Sequence, residues 1–284
     1  MSNMIEKELT EANEKMLKVF TKNDRELVCL TRDNVATVEA MICNDSDYIK
    51  SSDTNAGPRG TYHGSTAYWM NMLRNYVLLN SSEFFDDDST DLKKYLNGQT
   101  KPKKTLSYTY EELVKNAVIA VDIDNSTHIN SDSVGRKQIP ERIVAFGKKS
   151  FLKSLWKGDL ELFSKIAEKT DVSGLSEKYK ARVNTSFASK FCHYACFFIF
   201  DGADQQDNYS IYDNILLTVL PYYLNCYDIN KDKSRPYMRR DLQNYETYRK
   251  LVDMVREKAA KDTSKISRNG FDHLLWYYHK SRLN

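Results

Sequence analysis

The stretch Ser186–Phe200, SFASKFCHYACFFIF, constrains the fold more than any other part of the chain. Its apolar residues surround nearly the whole helical cylinder, and a helix without a polar face must be packed on all sides. Such a helix is central and buried, so its neighbours must be elements with apolar faces of their own. The chain can supply them: 284 residues with 41% hydrophobic and 12% aromatic content suffice for one large domain or two modest ones. The 29% charged residues then form a heavily solvated surface.

Those neighbours are legible as helices. Glu6–Phe20 carries Leu9, Met16, Leu17 and Phe20 among charges and reads as an amphipathic surface helix. Asn44–Gly64, rich in Ser, Asp, Asn and Gly, reads as a long loop. Thr66–Asn80 is apolar at helical spacing, with Trp69, Met72, Leu73, Tyr76 and Val77 on one stripe, and is expected to be a core helix. A short helix is expected at Asp91–Leu96. Thr109 stands three residues before Glu112, the spacing of a capping box, and opens another helix over TYEELVKNAVIAVDI, with a short strand around Val118–Ile123 as the alternative for its last part. Asn125–Gln138 returns to loop composition, after which Pro140 is expected to open a helix through Phe146. Further helices are predicted at Lys149–Trp156, at Asp159–Glu168 with Asp159 as N-cap, at Tyr212–Leu224, at Leu242–Lys261 and at Asn269–Lys280. The fold class is therefore all-α, without internal repeat, glycine-rich phosphate loop or sustained heptad pattern. Residues 1–60 are expected to form an N-terminal helix and loop extension, and residues 61–284 a helical domain.

Residues Met1–Phe20 hold four Glu and three Lys and no unbroken apolar run, the opposite of a secretion signal or a spanning helix. The five Cys, an odd number at irregular spacing, fit a reducing compartment. A cytoplasmic monomer with no membrane partner is the expectation. The net charge of +3 excludes a histone-like polycation. Local basic groups are more suggestive: Lys148 and Lys149 before an apolar run, and Arg235, Arg239 and Arg240 late in the chain.

Two residues stand out chemically. Lys190 lies in the first turns of the apolar helix, with Phe187, Phe191 and Tyr194 three before, one after and four after it. Burial there would lower its pKa and leave a population of free amine, which can attack an electrophilic carbon such as C1′ of a deoxyribose and form a Schiff base. The bland alternative is a lysine whose stem packs on the helix while its ammonium reaches water. Beyond the turn-rich segment Asp201–Asn208 stands Asp213, where the next helix begins. Its carboxylate is placed to cap that helix and to face back toward the N-terminal end of the preceding one, and the order Lys190, helix, loop, Asp213, helix is more informative than either residue alone.

The stretch TSFASKFCHYACFFIFDGADQQDNYSIYDNILL, from Thr185 to Leu217, resembles the catalytic segment of the helix-hairpin-helix DNA glycosylases, particularly their bacterial and archaeal 8-oxoguanine glycosylase-like members. In that family a hairpin ends in a small residue and a lysine, an apolar helix follows, and a loop then delivers an aspartate. The resemblance implies an all-helical fold with two subdomains flanking a cleft, and a catalytic segment over residues 184–224. It makes Lys190 the nucleophile, Asp213 the catalytic carboxylate and Ser186–Ser189 the second half of the hairpin turn. The family's hairpin carries glycines whose N–H groups hold a DNA phosphate; here Val183, Asn184, Thr185, Ser186 and Phe187 stand instead. Asn184, Ser186 and Ser189 are then the candidate phosphate contacts through their side chains, alongside the basic groups. A late helix supplies an aromatic wall for the extruded base in that family, which points to Phe271 or Trp276.

The expected function is thus excision of a damaged or modified base from double-stranded DNA, with possible strand cleavage at the resulting abasic site. No metal or organic cofactor is required. Cys192, His193 and Cys196 do not share a helix face, so a metal site is not expected there. Asp122 and Asp124 read as a helix end. Two other functions stay open: a catalytically inactive helical module that binds DNA or a protein partner, and a defence glycosylase acting on modified phage DNA.

Overall fold

The computed structural model describes residues 16–22, 24–44, 62–86, 89–103, 106–125, 127, 129, 134–174, 183–229, 235–260, 265–280 and 282. Among them are a hairpin of β1 (Val19–Lys22) and β2 (Arg25–Val28) and eleven α-helices. The helices are α1 (Arg32–Asn44), α2 (Tyr62–Leu79), α3 (Thr90–Gly98), α4 (Tyr110–Asp124), α5 (Val134–Phe146), α6 (Lys148–Lys157), α7 (Glu161–Ala167), α8 (Thr185–Ile199), α9 (Asn214–Cys226), α10 (Tyr245–Ala259) and α11 (Arg268–Lys280). The chain divides into two units, one formed by Asp47–Tyr209 and the other by Met1–Ser46 together with Ser210–Asn284. This division differs from a boundary at residue 60: the N-terminal stretch belongs with the C-terminal quarter. The segment 184–224 therefore contributes to both units.

In the Asp47–Tyr209 unit, α8 is the central element and packs against α2, α4, α6 and α7. Phe187, Phe191, Cys192, Ala195, Cys196 and Ile199 are all buried, and each large apolar side chain withdrawn in this way contributes roughly 2 kcal/mol. The polar residues on this helix survive burial because they are bonded. His193 Nδ1 lies 2.9 Å from the Tyr209 carbonyl, and Ser189 Oγ donates to the Ser186 carbonyl at 2.8 Å. On α2 the buried side chains include Trp69, Met70, Leu73, Val77 and Leu78, so the stripe is rotated from the expected one; Met72 and Tyr76 are only half-buried.

The capping box at Thr109 forms as its spacing predicts: the Glu112 N–H donates to Thr109 Oγ1 at 3.2 Å, and the Thr109 N–H returns a bond to Glu112 Oε2 at 2.8 Å. The Thr109 N–H and, at 3.1 Å, the Thr109 hydroxyl both donate to Glu112 Oε2 and hold that carboxyl below its ordinary range. The helix read from Thr109 runs on through Val118–Ile123 as the last part of α4, and the alternative of a short strand there is not realised, because Val118 and Val121 face the core at helical spacing. At the end of this helix the Asp122 carboxylate gathers the following loop, accepting from Thr127 Oγ1 at 2.6 Å, Ile129 N at 3.1 Å and Arg136 Nε at 2.9 Å. Anchored at Arg136, α5 begins at Val134, and Pro140 lies inside it instead of opening it. Asp159 likewise acts one position ahead of its expected place: Leu160 is the N-cap, and Asp159 Oδ1 accepts from Glu161 N and from the Ser154 hydroxyl.

The other unit holds the β-hairpin, which corrects the expectation of a helix running through Phe20. Val19 pairs with Val28 and Lys22 with Arg25, and Asp24 takes the positive φ of 58° that a tight turn requires. Residues 6–15 of the expected helix lie outside the described residues, as do 45–61 of the expected loop; its ends, Asn44 and Tyr62–Gly64, are helical. Helix α11 packs on α1, α9 and β2. Its approach to α1 requires Gly270, where a Cβ would meet Val35 Cγ1 at 2.8 Å.

Tyr223 ties β2 to α9 and α11: its phenol oxygen accepts the Val28 N–H at 3.1 Å, donates to the Val28 carbonyl at 3.2 Å and lies 3.1 Å from His279 Nε2. Burial, with a smaller push from Arg282, lowers the His279 pKa from 6.5 to about 4. A base that is harder to protonate when folded stabilises the fold above pH 6.5 and loses that contribution as the pH falls toward 4. We expect up to about 3 kcal/mol to be lost across this window. In urea titrations at pH 7 and pH 4.5, His279→Gln should narrow the difference in unfolding free energy between the two pH values. An unchanged difference would show that His279 does not carry it.

Candidate active site

Each unit presents one of the two predicted catalytic residues. Lys190 sits in the second turn of α8, half-buried, and its Nζ donates to the backbone carbonyl of Asn125 at 3.4 Å. Asn125 closes α4, and its side chain is fixed from two directions: Oδ1 accepts from the Tyr194 hydroxyl at 3.0 Å, and Nδ2 donates to the Val121 carbonyl at 3.1 Å. Lys190 and Tyr194 are one helical turn apart on α8, so both reach the same end of α4. The neighbouring Asp124 carboxylate accepts the Thr66 N–H in the first turns of α2 at 2.7 Å. The pair Asp122 and Asp124 is thus a helix end, as its sequence suggests, and together with Asn125 it organises the surroundings of the amine.

The electrostatics of this end favour a donor. Carbonyls at a helix C-terminus carry partial negative charge, and Lys190 supplies an N–H to one of them. A neutral amine has two N–H bonds and one lone pair, so it can keep the bond to Asn125 and still direct its lone pair elsewhere. The bond is therefore compatible with a nucleophile and equally with a lysine that simply caps α4.

Asp213 is the N-cap of α9. Its backbone is extended (φ −133°, ψ 174°), and its Oδ1 accepts the Leu216 N–H at 2.9 Å. The residue is 9% exposed, and among the described residues no hydrogen bond reaches Oδ2.

The candidate phosphate contacts are differently placed from one another. Ser186 and Ser189 lie in the first turns of α8, which starts at Thr185, and not in a turn preceding the helix. Ser189 is fully buried, and Asn184 is buried with its Nδ2 donating to the Glu168 carbonyl at 3.2 Å. Only Ser186, half-buried, keeps its side chain near solvent. Lys148 pairs with Glu83 at 2.6 Å and lies 3.2 Å from the Tyr76 hydroxyl, bonds that raise its pKa. Lys149 pairs with Asp86 at 2.8 Å. Arg235 forms a two-pronged pair with Asp241 at 2.9 and 2.6 Å. Arg239 and Arg240 are exposed, and no ion pair involves them among the described residues.

Of the two candidate base walls, Phe271 is a fully buried core residue, which corrects its assignment as a stacking surface. Trp276 is half-buried, with Lys280 Nζ 4.1 Å from its ring centroid. Cys196 is buried, its thiol bonded to the Leu155 carbonyl at 3.6 Å, and burial pushes its pKa well up; this is the profile of an inert core thiol. Sequence reasoning missed Asn125, because a backbone carbonyl acceptor has no residue signature. Among the described residues no helix is long and apolar enough to cross a membrane. No family model, no curated protein and no solved structure matches the chain.

Proposed function

We propose that the chain is a DNA N-glycosylase with abasic-site lyase activity, in which Lys190 is the nucleophile and Asp213 the assisting carboxylate. The observation that carries the proposal is the placement of Lys190, a half-buried amine on a helix whose buried side chains are mostly apolar, with one N–H held by the Asn125 carbonyl. The amine lone pair would attack C1′ of the deoxyribose while the C1′–N bond breaks and its electrons leave with the base. The nitrogen then loses a proton, the sugar ring opens as O4′ takes up a proton to leave a protonated imine at C1′, and loss of a C2′ proton with breakage of the C3′–O bond (β-elimination) releases the downstream strand with its 5′ phosphate. Water hydrolyses the imine and returns the amine. Asp213 would stabilise the positive charge that develops on the sugar. Repair of damaged bases and removal of modified bases from foreign DNA share this chemistry, and both lie within the proposal.

A second reading, a helical DNA- or partner-binding module without catalysis, is favoured by a specific observation. Lys190 and Asp213 each perform a local structural task, closing α4 and opening α9. Borohydride trapping separates the two readings. Duplexes carrying oxidised, alkylated or deaminated bases, or an abasic site, are incubated with the protein and reduced. A covalent protein–DNA adduct supports the glycosylase, and its absence on every duplex, with DNA bound, supports the module.

In either reading Arg239 and Arg240 are the proposed phosphate ligands whose charges are not already paired among the described residues. Replacing both by Gln is expected to weaken binding to all duplexes alike and to reduce the salt slope by about one for each phosphate that is no longer neutralised. Unchanged affinity and slope would make them ordinary solvated charges.

A further inference from the structure

The extended segment Ser210–Asp213 leads into α9 and is gripped by three buried side chains. Tyr245 and Tyr248 lie one turn apart on α10, and their hydroxyls donate to successive carbonyls, Ser210 at 2.8 Å and Ile211 at 2.7 Å. From α11 the Asp272 carboxylate accepts the Ile211 N–H at 2.7 Å. The two tyrosine rings are stacked with centroids 6.2 Å apart, and Tyr212 meets both edge-on, at 6.1 and 5.1 Å. Three successive backbone polar groups are therefore held by side chains of two helices, where an extended segment would ordinarily rely on a neighbouring strand. The tyrosines bring rigid rings with few rotatable bonds, so the grip fixes position and direction together.

The segment ends at Asp213, whose Oδ1 is committed to the Leu216 N–H. With the backbone on one side and the cap on the other both fixed, the direction of Oδ2 is fixed too. We propose that Tyr245, Tyr248 and Asp272 are positioning residues for the Asp213 carboxylate, an inference that rests on the catalytic reading of Asp213. They do not touch the substrate; they hold the anion in one orientation, so that it need not reorganise when charge develops on the sugar. Burial raises the Tyr248 hydroxyl pKa well above its ordinary value, with Asp272 and Asp213 adding to the effect, so this donor holds its proton more firmly than a free phenol does.

The test is a double-mutant cycle on the full chain with an abasic-site duplex as the probe, reading the single-turnover rate of strand cleavage and, separately, duplex affinity. Tyr248→Phe, which removes only the hydroxyl, is expected to slow cleavage about tenfold and to change affinity less than about twofold. In an Asp213→Asn background the same change should fall to less than about twofold, because its route of action has been removed. If the losses multiply, or if Tyr248→Phe cleaves at the wild-type rate, the positioning role is overturned while the catalytic reading stands. If the wild-type chain neither cleaves nor traps, the catalytic reading fails and the inference fails with it. Should Tyr248→Phe unfold at the assay temperature, Tyr245→Phe carries the same cycle, with the same outcomes deciding.

Discussion

Lys190→Gln is expected to abolish both the borohydride-trapped adduct and strand cleavage, with the rate falling by about a thousandfold or more. A glutamine amide has no lone pair basic enough to attack C1′. The substitution should leave the fold intact, because Lys190 is only half-buried and glutamine is as good a helix former as lysine. The change in unfolding free energy should stay below about 1 kcal/mol. Duplex affinity should be nearly unchanged, since one positive charge is removed and the exposed arginines remain. The check is to measure trapping, cleavage and affinity on one preparation. Wild-type cleavage by the variant would remove Lys190 from the mechanism, whereas loss of cleavage together with loss of binding would point to a DNA-binding role instead.

The legibility of this chain followed the range of the forces involved. Where a signal was local, the sequence reading agreed with the structure: the Thr109–Glu112 box, the N-cap at Asp213 and the all-round apolar α8 are each specified by residues within one or two turns. Where a distant partner decided the outcome, the reading failed. Pro140 reads as a helix start because proline is tolerated there, but the Asp122 carboxylate anchors Arg136 and lets the helix begin at Val134. The hairpin at Val19–Val28 was hidden because its first strand shares Val19 and Phe20 with a stretch that alternates like a helix when read alone. The site divides in the same way. Lys190 and Asp213 could be singled out by residue type and spacing, while the Asn125 carbonyl and the Tyr245–Tyr248–Asp272 grip could not. In both cases the partner is a backbone group, which no residue type announces. The spacing Tyr245-x-x-Tyr248 was the one available signal, since it places two hydroxyls on one helix face.

Asp213→Asn is expected to lower turnover by about a hundredfold to a thousandfold while leaving affinity for an abasic-site duplex unchanged or tighter. The substitution isolates charge from structure. Asn accepts the Leu216 N–H about as well as Asp does, so α9 keeps its cap, and the loss of a negative charge at a helix N-terminus costs only about 0.5 kcal/mol. What disappears is the anion that would face the developing positive charge on the sugar. Its removal also takes a negative charge away from the DNA phosphates, which is why binding should hold or improve. If Asp213 is only a cap, the variant should turn over near the wild-type rate, and Asp213→Ala should then be the damaging change, costing about 1 kcal/mol of stability because the bond to Leu216 can no longer form. Comparing the two variants for rate and for unfolding midpoint therefore separates the roles. A slow, stable Asn variant assigns Asp213 to the chemistry, whereas a fast Asn variant beside a destabilised Ala variant assigns it to the fold alone.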